Sequence, residues 1–219
     1  MKTYDGCLPP VFRMIVAGAS SSGKSTLISD ILNNGNGILS EDFQRLIYLR
    51  SVPTKSEELF RRKFGEGFLV FDGIPPQDVL LPLCSAKPGT VLVIEDLDAE
   101  ACSSPLVSKV FTAYSHHHSF SVILSTQNIF RPGSERLTLI RNSTHIILFP
   151  NNLDLTVIRL LAQRVHPKNP KAVVDLFERV TQKPYGYLSF WSFCPPELKF
   201  RSHLTAPVQR VYNWDLPTN

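Results

Sequence analysis

The sequence lacks the features of a disulfide-stabilised or zinc-bound protein. Its 219 residues include four cysteines, Cys7, Cys84, Cys102 and Cys194, and no two of them form a CxxC pair. Scattered cysteines of this kind argue against a disulfide framework and against a zinc site with the usual ligand spacing. The pattern is typical of a protein in a reducing compartment.

Long hydrophobic runs are also missing. No apolar stretch approaches the roughly 20 residues that a membrane-spanning helix needs. Residues 1–11 contain Pro9 and Pro10 and no apolar segment of the kind found in signal peptides. We therefore expect no membrane partner and an intracellular location, which includes the interior of a host cell, with association with a virion left open.

Charge of either sign is modest. The chain has 23 Lys and Arg against 19 Asp and Glu, which gives a formal net charge of +4. Such a balance permits contact with nucleic acid without requiring it. Hydrophobic residues make up 43% of the chain and charged residues 19%, so a large core can be buried and global disorder is excluded.

Short apolar runs alternate with helical patterns along most of the chain. The pattern predicts strands at 11–17, 46–49, 68–71, 90–94, 120–124 and 145–149, and helices at 24–33, 55–63, 106–115, 153–165 and 171–181. This alternation indicates an α/β fold with a mostly parallel sheet flanked by helices. Residues 185–219 are rich in proline and aromatic residues, and only 187–193 resembles a strand, at an edge. We predict a core of residues 1–184 and a C-terminal strand extension and tail of residues 185–219, packed on that core.

The clearest motif is a phosphate-binding loop between the first strand and the first helix. The segment Gly18-Ala19-Ser20-Ser21-Ser22-Gly23-Lys24-Ser25 fits GxxxxGK[ST] at every fixed position, which happens by chance in roughly one chain of this length in a hundred. Backbone N–H groups of such a loop surround phosphates, the lysine reaches the β- and γ-phosphates, and the Ser25 hydroxyl binds Mg²⁺. The motif predicts an ATP site formed by residues 18–25 and Thr26, with Mg²⁺ as its metal.

Two adjacent carboxylates follow the predicted strand at 90–94. An enzyme that hydrolyses ATP in this way needs one carboxylate near Mg²⁺ and usually a second to polarise the attacking water. Glu95 and Asp96 supply this pair, and Ser25, Glu95 and Asp96 are the predicted metal ligands. Position favours Glu95 at the metal and Asp96 at the water, whereas chemistry favours the reverse, so the sequence leaves the division of roles open. The pair could also be a solvated strand end or a helix cap.

A polar segment also follows the next buried strand. Ser125, Thr126, Gln127 and Asn128 stand directly after residues 120–124. The carboxyl ends of parallel strands face the crevice where ligands bind. If this strand lies between the strand before the loop and the strand before Glu95, the Gln127 amide is placed at the γ-phosphate. A helix cap is the alternative interpretation of the segment.

Several segments together resemble the genome-packaging ATPases of the FtsK/HerA superfamily, in the branch of Polinton, adintovirus and virophage type. The matching stretches are 12–28, 91–97, 116–130, 141–154, 183–190 and 199–204. The first two are generic to phosphate-loop enzymes. The histidines at 116–118 before a strand that ends in TQN-F, and the Tyr-Gly-Tyr segment at 185–187, are much more specific.

The resemblance implies a RecA-like ATPase core, a homo-oligomeric ring expected to be a hexamer, and translocation of double-stranded DNA into a capsid, with capsid or portal protein as a further partner. Lys24 and Gln127 would act on the phosphates. Relatives carry an arginine after the TQN-F segment that acts across the subunit interface, and the candidates are Arg131, Arg136 and Arg141. Arg136 stands one position from the usual place, and the Glu-Asp order at 95–96 is a second departure.

Two other functions remain open at this stage. A kinase for nucleotides or small molecules shares the loop and would use several arginines in a lid. A non-hydrolytic ATP-binding assembly protein would retain the loop alone, and the inverted carboxylate order favours it. The basic residues Lys55, Arg61, Arg62 and Lys63 indicate either a solvated helix face or contact with a nucleic-acid backbone, and the second requires that they cluster in space with Lys168 and Lys171.

Overall fold

The structure is a computed structural model that describes residues 7–33, 37–151, 155–195, 198–204 and 210–212. The strands are β1 (Arg13–Ala17), β2 (Arg45–Arg50), β3 (Phe68–Asp72), β4 (Thr90–Glu95), β5 (Ser121–Thr126), β6 (His145–Leu148), β7 (Leu188–Trp191), β8 (Phe200–Ser202) and β9 (Arg210–Tyr212).

The helices alternate with the first six strands. They are α1 (Lys24–Asn33), α2 (Ser56–Phe64), α3 (Gln77–Ser85), α4 (Asp98–Ser103), α5 (Pro105–Lys109), α6 (Ser115–His117), α7 (Arg136–Asn142), α8 (Thr156–Val165) and α9 (Pro170–Thr181). A π-helical turn, Val110–Tyr114, joins α5 to α6, and a 3₁₀ turn, Gly65–Gly67, follows α2.

All the described strands form one sheet in the order β3-β2-β4-β5-β1-β6-β7-β8-β9. Strands β1 to β6 pair in parallel, and β7, β8 and β9 continue the sheet antiparallel from β6. The predicted α/β fold with a mostly parallel sheet and a C-terminal strand extension is confirmed. Strand β5 lies between β1 and β4, which is the placement that the interpretation of Gln127 required.

Helices cover both faces of the sheet. Side chains alternate between the faces along each strand, so Ile15 of β1 joins the core under α3 to α9, whereas Met14 and Val16 join the core under α1 and α2. Every residue of β4 and β5 is buried. This explains why those strands appear in the sequence as nearly continuous apolar runs and not as alternating ones.

The sequence-based element predictions differ from the structure in three respects. Helices α3, α4 and α7 were not predicted, because α3 contains Pro82 and because α4 and α7, of six and seven residues, are too short to show a helical period. Strand β9, of three residues, was not predicted either. The predicted edge strand at 187–193 is wrong in its position, since β7 is an interior strand between β6 and β8. The predicted helix start at Leu153 falls outside the described residues.

The division of the chain at residues 184 and 185 stays a prediction. Strands β7 and β8 lie in the proposed extension and are hydrogen-bonded into the same sheet as the core. Within the described residues, no helix has both the length and the apolar character to cross a bilayer.

Candidate functional site

The phosphate loop connects the carboxyl end of β1 to the amino end of α1. The Gly18 N–H donates to the Thr126 carbonyl oxygen at 3.1 Å, which ties the loop to β5. Ser21 has a φ of 61° and Gly23 a φ of 107°, a region in which side chains other than glycine are strained. The loop thus adopts the open, curved backbone that the motif predicted.

Lys24 lies inside this loop. Its Nζ donates to the carbonyl oxygens of Gly18 at 2.9 Å and Ala19 at 2.8 Å, and the residue is 8% exposed. Burial lowers the pKa of Lys24, while the negative charges of Asp96, Glu95 and Asp98 act in the opposite direction. The ammonium group is therefore placed where phosphates bound by the loop would lie.

Glu95, the last residue of β4, faces the first turn of α1. Its Oε1 accepts a hydrogen bond from the Ser25 hydroxyl, and its Oε2 accepts one from the Tyr48 hydroxyl at 2.5 Å. Glu95 is 3% exposed, and burial together with the nearby Glu95 charge raises the pKa of Tyr48. A carboxylate and a hydroxyl in contact at a loop for phosphates are the hard oxygen ligands that Mg²⁺ prefers, so the residues present fit that ion.

Asp96 is placed differently from Glu95. It is exposed and has a φ of 55°, which turns its side chain out of the strand direction. Asp96 lines a pocket of about 470 Å³, hereafter the site pocket. The residues of its wall are Ser20, Ser51, Asp96, Leu97, Asp98, Ala99, Glu100, Ser125, Thr126, Gln127 and Arg131.

Gln127 also lines the site pocket, one residue past the end of β5. Its backbone N–H donates to Oδ2 of Asp98 at 2.9 Å, so the first residue of α4 holds the segment after β5 in place. The structure therefore brings the loop serine Ser20, the carboxylate Asp96 and Gln127 to the wall of one pocket, and their roles in the site stay predictions.

The arginine candidates occupy three different environments. Arg131 lines the site pocket and is exposed. Arg141 is exposed at the last turn of α7, near the amino end of β6, away from the loop. Arg136 is 3% exposed, so action across a subunit interface, as expected from the sequence, would require this side chain to leave its buried position.

Arg136 faces Asp98 inside its own subunit. Its Nη2 lies 3.9 Å from Oδ1 of Asp98, and its Nε donates to the Arg131 carbonyl oxygen at 3.3 Å. Among the described residues, no hydrogen-bond partner is found for the buried Nη atoms of Arg136 or for the buried Oδ1 of Asp98, and burial lowers the pKa of Arg136. The pair supports the segment that carries Gln127.

The other side of the loop is aromatic. A Cβ added at Gly18 would lie 2.5 Å from Cβ of Phe149, and one added at Gly23 would lie 3.3 Å from the Phe149 ring and 3.1 Å from the Tyr185 ring. The Phe149 and Tyr187 rings lie 5.1 Å apart. Both glycines of the motif are thus required by close packing as well as by backbone angles.

The basic residues of α2 do not form a free cationic patch. Glu57 is paired with Arg50 and lies 3.7 Å from Arg61, and Glu58 is paired with Arg62. Helix α2 packs beside β2 and β3 at one end of the sheet, whereas Lys168 and Lys171 lie beside α8 and α9, which pack next to β7. The condition for a nucleic-acid contact at α2 is not met, and the solvated face is the better interpretation.

Solved structures with this fold include the genome packaging NTPase B204 from Sulfolobus turreted icosahedral virus 2. Its complex with AMP matches with a TM-score of 0.57 and 19% identity, over 84% of this chain and 94% of that chain. Its complex with ATPγS matches with a TM-score of 0.58 and 18% identity, over 94% and 99%. The chain has the fold of a P-loop NTPase with a RecA-like core. No protein-family model and no curated protein sequence matches it.

Sequence reasoning missed three residues of this P-loop site. Tyr48 is the one polar side chain in the apolar run LIYL, and a buried tyrosine hydroxyl needs a partner. Asp98 could be seen only as a helix cap. Nothing in the sequence indicated a role for Phe149 at the site, because an aromatic residue at the end of a buried strand is usually part of the hydrophobic core.

Proposed function

We propose that the protein is a Mg²⁺-dependent ATPase that drives double-stranded viral DNA into a preformed capsid. The contact between Ser25 and Glu95 beside the Lys24-containing loop carries the ATPase part of this proposal. The fold match to a genome packaging NTPase over 94% of the chain supports the packaging part, together with the sequence resemblance at 116–130 and 183–190.

ATP is the proposed substrate. The N–H groups of the loop and the amino end of α1 favour bound anions. The Lys24 ammonium group already contacts the Gly18 and Ala19 carbonyl oxygens of the loop. There its charge would offset the charge of the β- and γ-phosphates. Ser22, whose buried hydroxyl has no hydrogen-bond partner among the described residues, is a further donor in the same loop.

Ser25 and Glu95 are the residues proposed to hold Mg²⁺. When bound, the ion neutralises phosphate charge and polarises the bond that breaks. The Tyr48 hydroxyl fixes the second oxygen of Glu95, so the carboxylate is oriented before any ligand arrives. Of the two divisions of roles that the sequence left open, we propose on this arrangement the one with Glu95 as the metal-side carboxylate.

Asp96 and Gln127 are proposed to act on the attacking water. Both line the site pocket next to Ser20 of the loop. An exposed carboxylate can accept the proton of water, and an amide can orient water and contact the γ-phosphate. Arg131 lines the same pocket and is proposed to stabilise the negative charge that develops on the phosphate. Arg136 is proposed to support the segment that carries Gln127.

A homo-oligomeric ring, DNA and a capsid or portal protein are the proposed partners. Motors of this kind place ATP between subunits, and hydrolysis then moves loops that contact the DNA backbone. The FtsK/HerA assignment of the Polinton, adintovirus and virophage type, and a location inside an infected cell or on the virion, belong to the same proposal and rest on the sequence resemblance.

The test is an ATPase assay of the full chain with Mg²⁺, with and without double-stranded DNA. The wild-type protein should release phosphate from ATP. Double-stranded DNA should increase the rate of this release, because a motor couples ATP hydrolysis to DNA movement. Lys24→Ala should lower the rate at least 100-fold, since loss of the charge that faces the phosphates removes several kcal/mol of transition-state stabilisation. Lys109→Ala, at an exposed position on α5, is the matched control and should leave the rate unchanged.

Other results would favour the alternative functions. Transfer of phosphate to a nucleoside or nucleotide acceptor would identify a kinase. Tight ATP binding without turnover above the buffer rate would identify an assembly protein that keeps only the nucleotide site. Equal phosphate release by wild type and Lys24→Ala would contradict the ATPase proposal itself.

A further inference from the structure

The order of the strands separates the two ends of the proposed nucleotide site. Glu95 at the end of β4 and Gln127 after β5 belong to the proposed γ-phosphate end, on one side of β1. A triphosphate with that end fixed extends toward β6 and β7 on the other side. The nucleoside therefore leaves the loop where Phe149 and Tyr185 pack against Gly23.

Tyr185 is an unusual residue at this place. Its side chain is 71% exposed although it touches the loop, and it ranks as the most exposed large hydrophobic side chain among the described residues. Its φ of 60° lies in the left-handed region that a residue with a bulky side chain rarely adopts. Strain of this kind persists only where the surrounding structure fixes it, and it concentrates at ligand sites.

The backbone around Tyr185 is fixed from both sides. The Gly186 N–H donates to the Lys183 carbonyl oxygen at 3.0 Å, and a Cβ at Gly186 would lie 2.3 Å from the Val180 carbonyl oxygen. Tyr187 is buried, and its hydroxyl accepts a hydrogen bond from the Leu204 N–H at 2.6 Å. The turn is therefore held in one conformation while the Tyr185 ring remains open to a ligand.

We propose that Tyr185 is the stacking surface for the base of the nucleotide that the phosphate loop binds. This inference rests on the proposed nucleotide site and adds its base-binding part. An exposed aromatic ring on a rigid turn offers a face on which a purine stacks with little loss of conformational entropy. Stacking accepts any purine, so Tyr185 distinguishes nucleotides from inorganic polyphosphates and not ATP from GTP.

The experiment compares binding of ATP and of inorganic tripolyphosphate, each with Mg²⁺, to the full chain by isothermal calorimetry. Tyr185→Ala should weaken ATP and GTP binding about ten-fold, which lies within the range of base–aromatic stacking, and should leave tripolyphosphate affinity unchanged. Tyr185→Phe and Tyr185→Trp should bind ATP as wild type does. All three variants keep a side chain at the strained backbone position, so backbone strain is equal among them.

Phe193→Ala is the matched control, because Phe193 is also an exposed aromatic residue, 63% exposed, and lines a cavity near the amino end of β6. It should leave both affinities unchanged. Equal weakening of ATP and tripolyphosphate by Tyr185→Ala would overturn the proposal and make Tyr185 a support of the loop. Unchanged ATP binding, or an effect on subunit association alone, would overturn it as well. Failure of the wild type to bind either ligand would instead contradict the proposed function.

Discussion

The two sides of the phosphate loop differ in chemistry although both border β1. Toward β4 and β5 the loop faces Glu95, Asp96, Asp98 and Gln127, and toward β6 and β7 it faces aromatic rings. The carboxylates on the first side can bind cations and exchange protons with water. On the second side, the rings of Phe149 and Tyr185 pack within 3.3 Å of where a Cβ of Gly23 would be. This difference is the basis for proposing that the polar side acts on the phosphates and that the aromatic side binds the nucleoside.

The sharpest test of the polar side separates its two adjacent carboxylates. Glu95→Gln should reduce kcat at least 100-fold and should raise the Mg²⁺ concentration needed for half-maximal activity, because Glu95 contacts Ser25. Asp96→Asn should reduce kcat by a similar factor, on the order of 10² to 10⁴ for loss of a general base, without changing the Mg²⁺ requirement.

Steady-state ATPase assays over a Mg²⁺ titration measure both effects. Glu66→Gln, at an exposed position in the turn before β3, controls for loss of an acidic side chain. A shifted Mg²⁺ requirement in Asp96→Asn and a normal one in Glu95→Gln would show that the roles are the reverse of those proposed.

The second test removes one charge from the buried pair behind Gln127. Asp98→Asn keeps an oxygen for the Gln127 N–H but leaves the Arg136 guanidinium buried without a counter-charge. We expect it to lower the free energy of unfolding by about 3 kcal/mol, the order found when one partner of a buried ion pair is removed. Arg136→Met in the same chain should restore most of that loss, because the buried charge is then gone.

Denaturant unfolding of the two single variants and the double variant measures the coupling. Asp78→Asn, an exposed acid in the first turn of α3, should cost less than about 1 kcal/mol. If the decreases in the free energy of unfolding add up in the double variant, Asp98 and Arg136 do not interact. The pair would then not support the segment that carries Gln127.

The smallest effect concerns the amino end of β6, at the opposite end of that strand from the loop, where the one ionisable side chain of β6 is kept neutral. Burial, and then the charges of Arg201 and Arg13, lower the pKa of His145 to about 3. The ring packs edge-on against Trp191 at 4.6 Å. Below the ordinary histidine pKa of 6.5, His145 of the unfolded chain binds a proton. In the folded protein His145 stays neutral down to about pH 3. Stability from this group is therefore complete above pH 6.5 and declines as the pH falls.

Between pH 7 and pH 5 this decline should reach about 2 kcal/mol, at 1.36 kcal/mol for each pKa unit. His145→Phe keeps an edge-on aromatic contact and cannot be protonated, so its stability should fall less over the same interval. The difference between the two proteins in denaturant unfolding at pH 7 and pH 5 isolates His145 from the other titrating groups. Parallel pH profiles would show that His145 is protonated in the folded protein.

Local patterns of residues were sufficient to predict part of this fold and part of the candidate site. The apolar runs of β1, β4, β5 and β6 predicted a parallel sheet, because strands covered on both faces need apolar side chains at every position. The loop from Gly18 to Ser25 was evident because its chemistry requires fixed residues at fixed spacing. The position of β5 between β1 and β4 was only a condition for the interpretation of Gln127, and the sheet meets that condition.

Contacts between residues distant in the chain could be identified only in the folded protein. Tyr48 meets Glu95 across 47 positions, and Phe149 and Tyr185 meet Gly23 from the far side of β1. Such contacts depend on strand order and on side-chain direction, and neither has a signature at short spacing. For the same reason the sequence could offer Arg136 as a candidate for action across a subunit interface, whereas the fold of α7 over α4 buries it against Asp98.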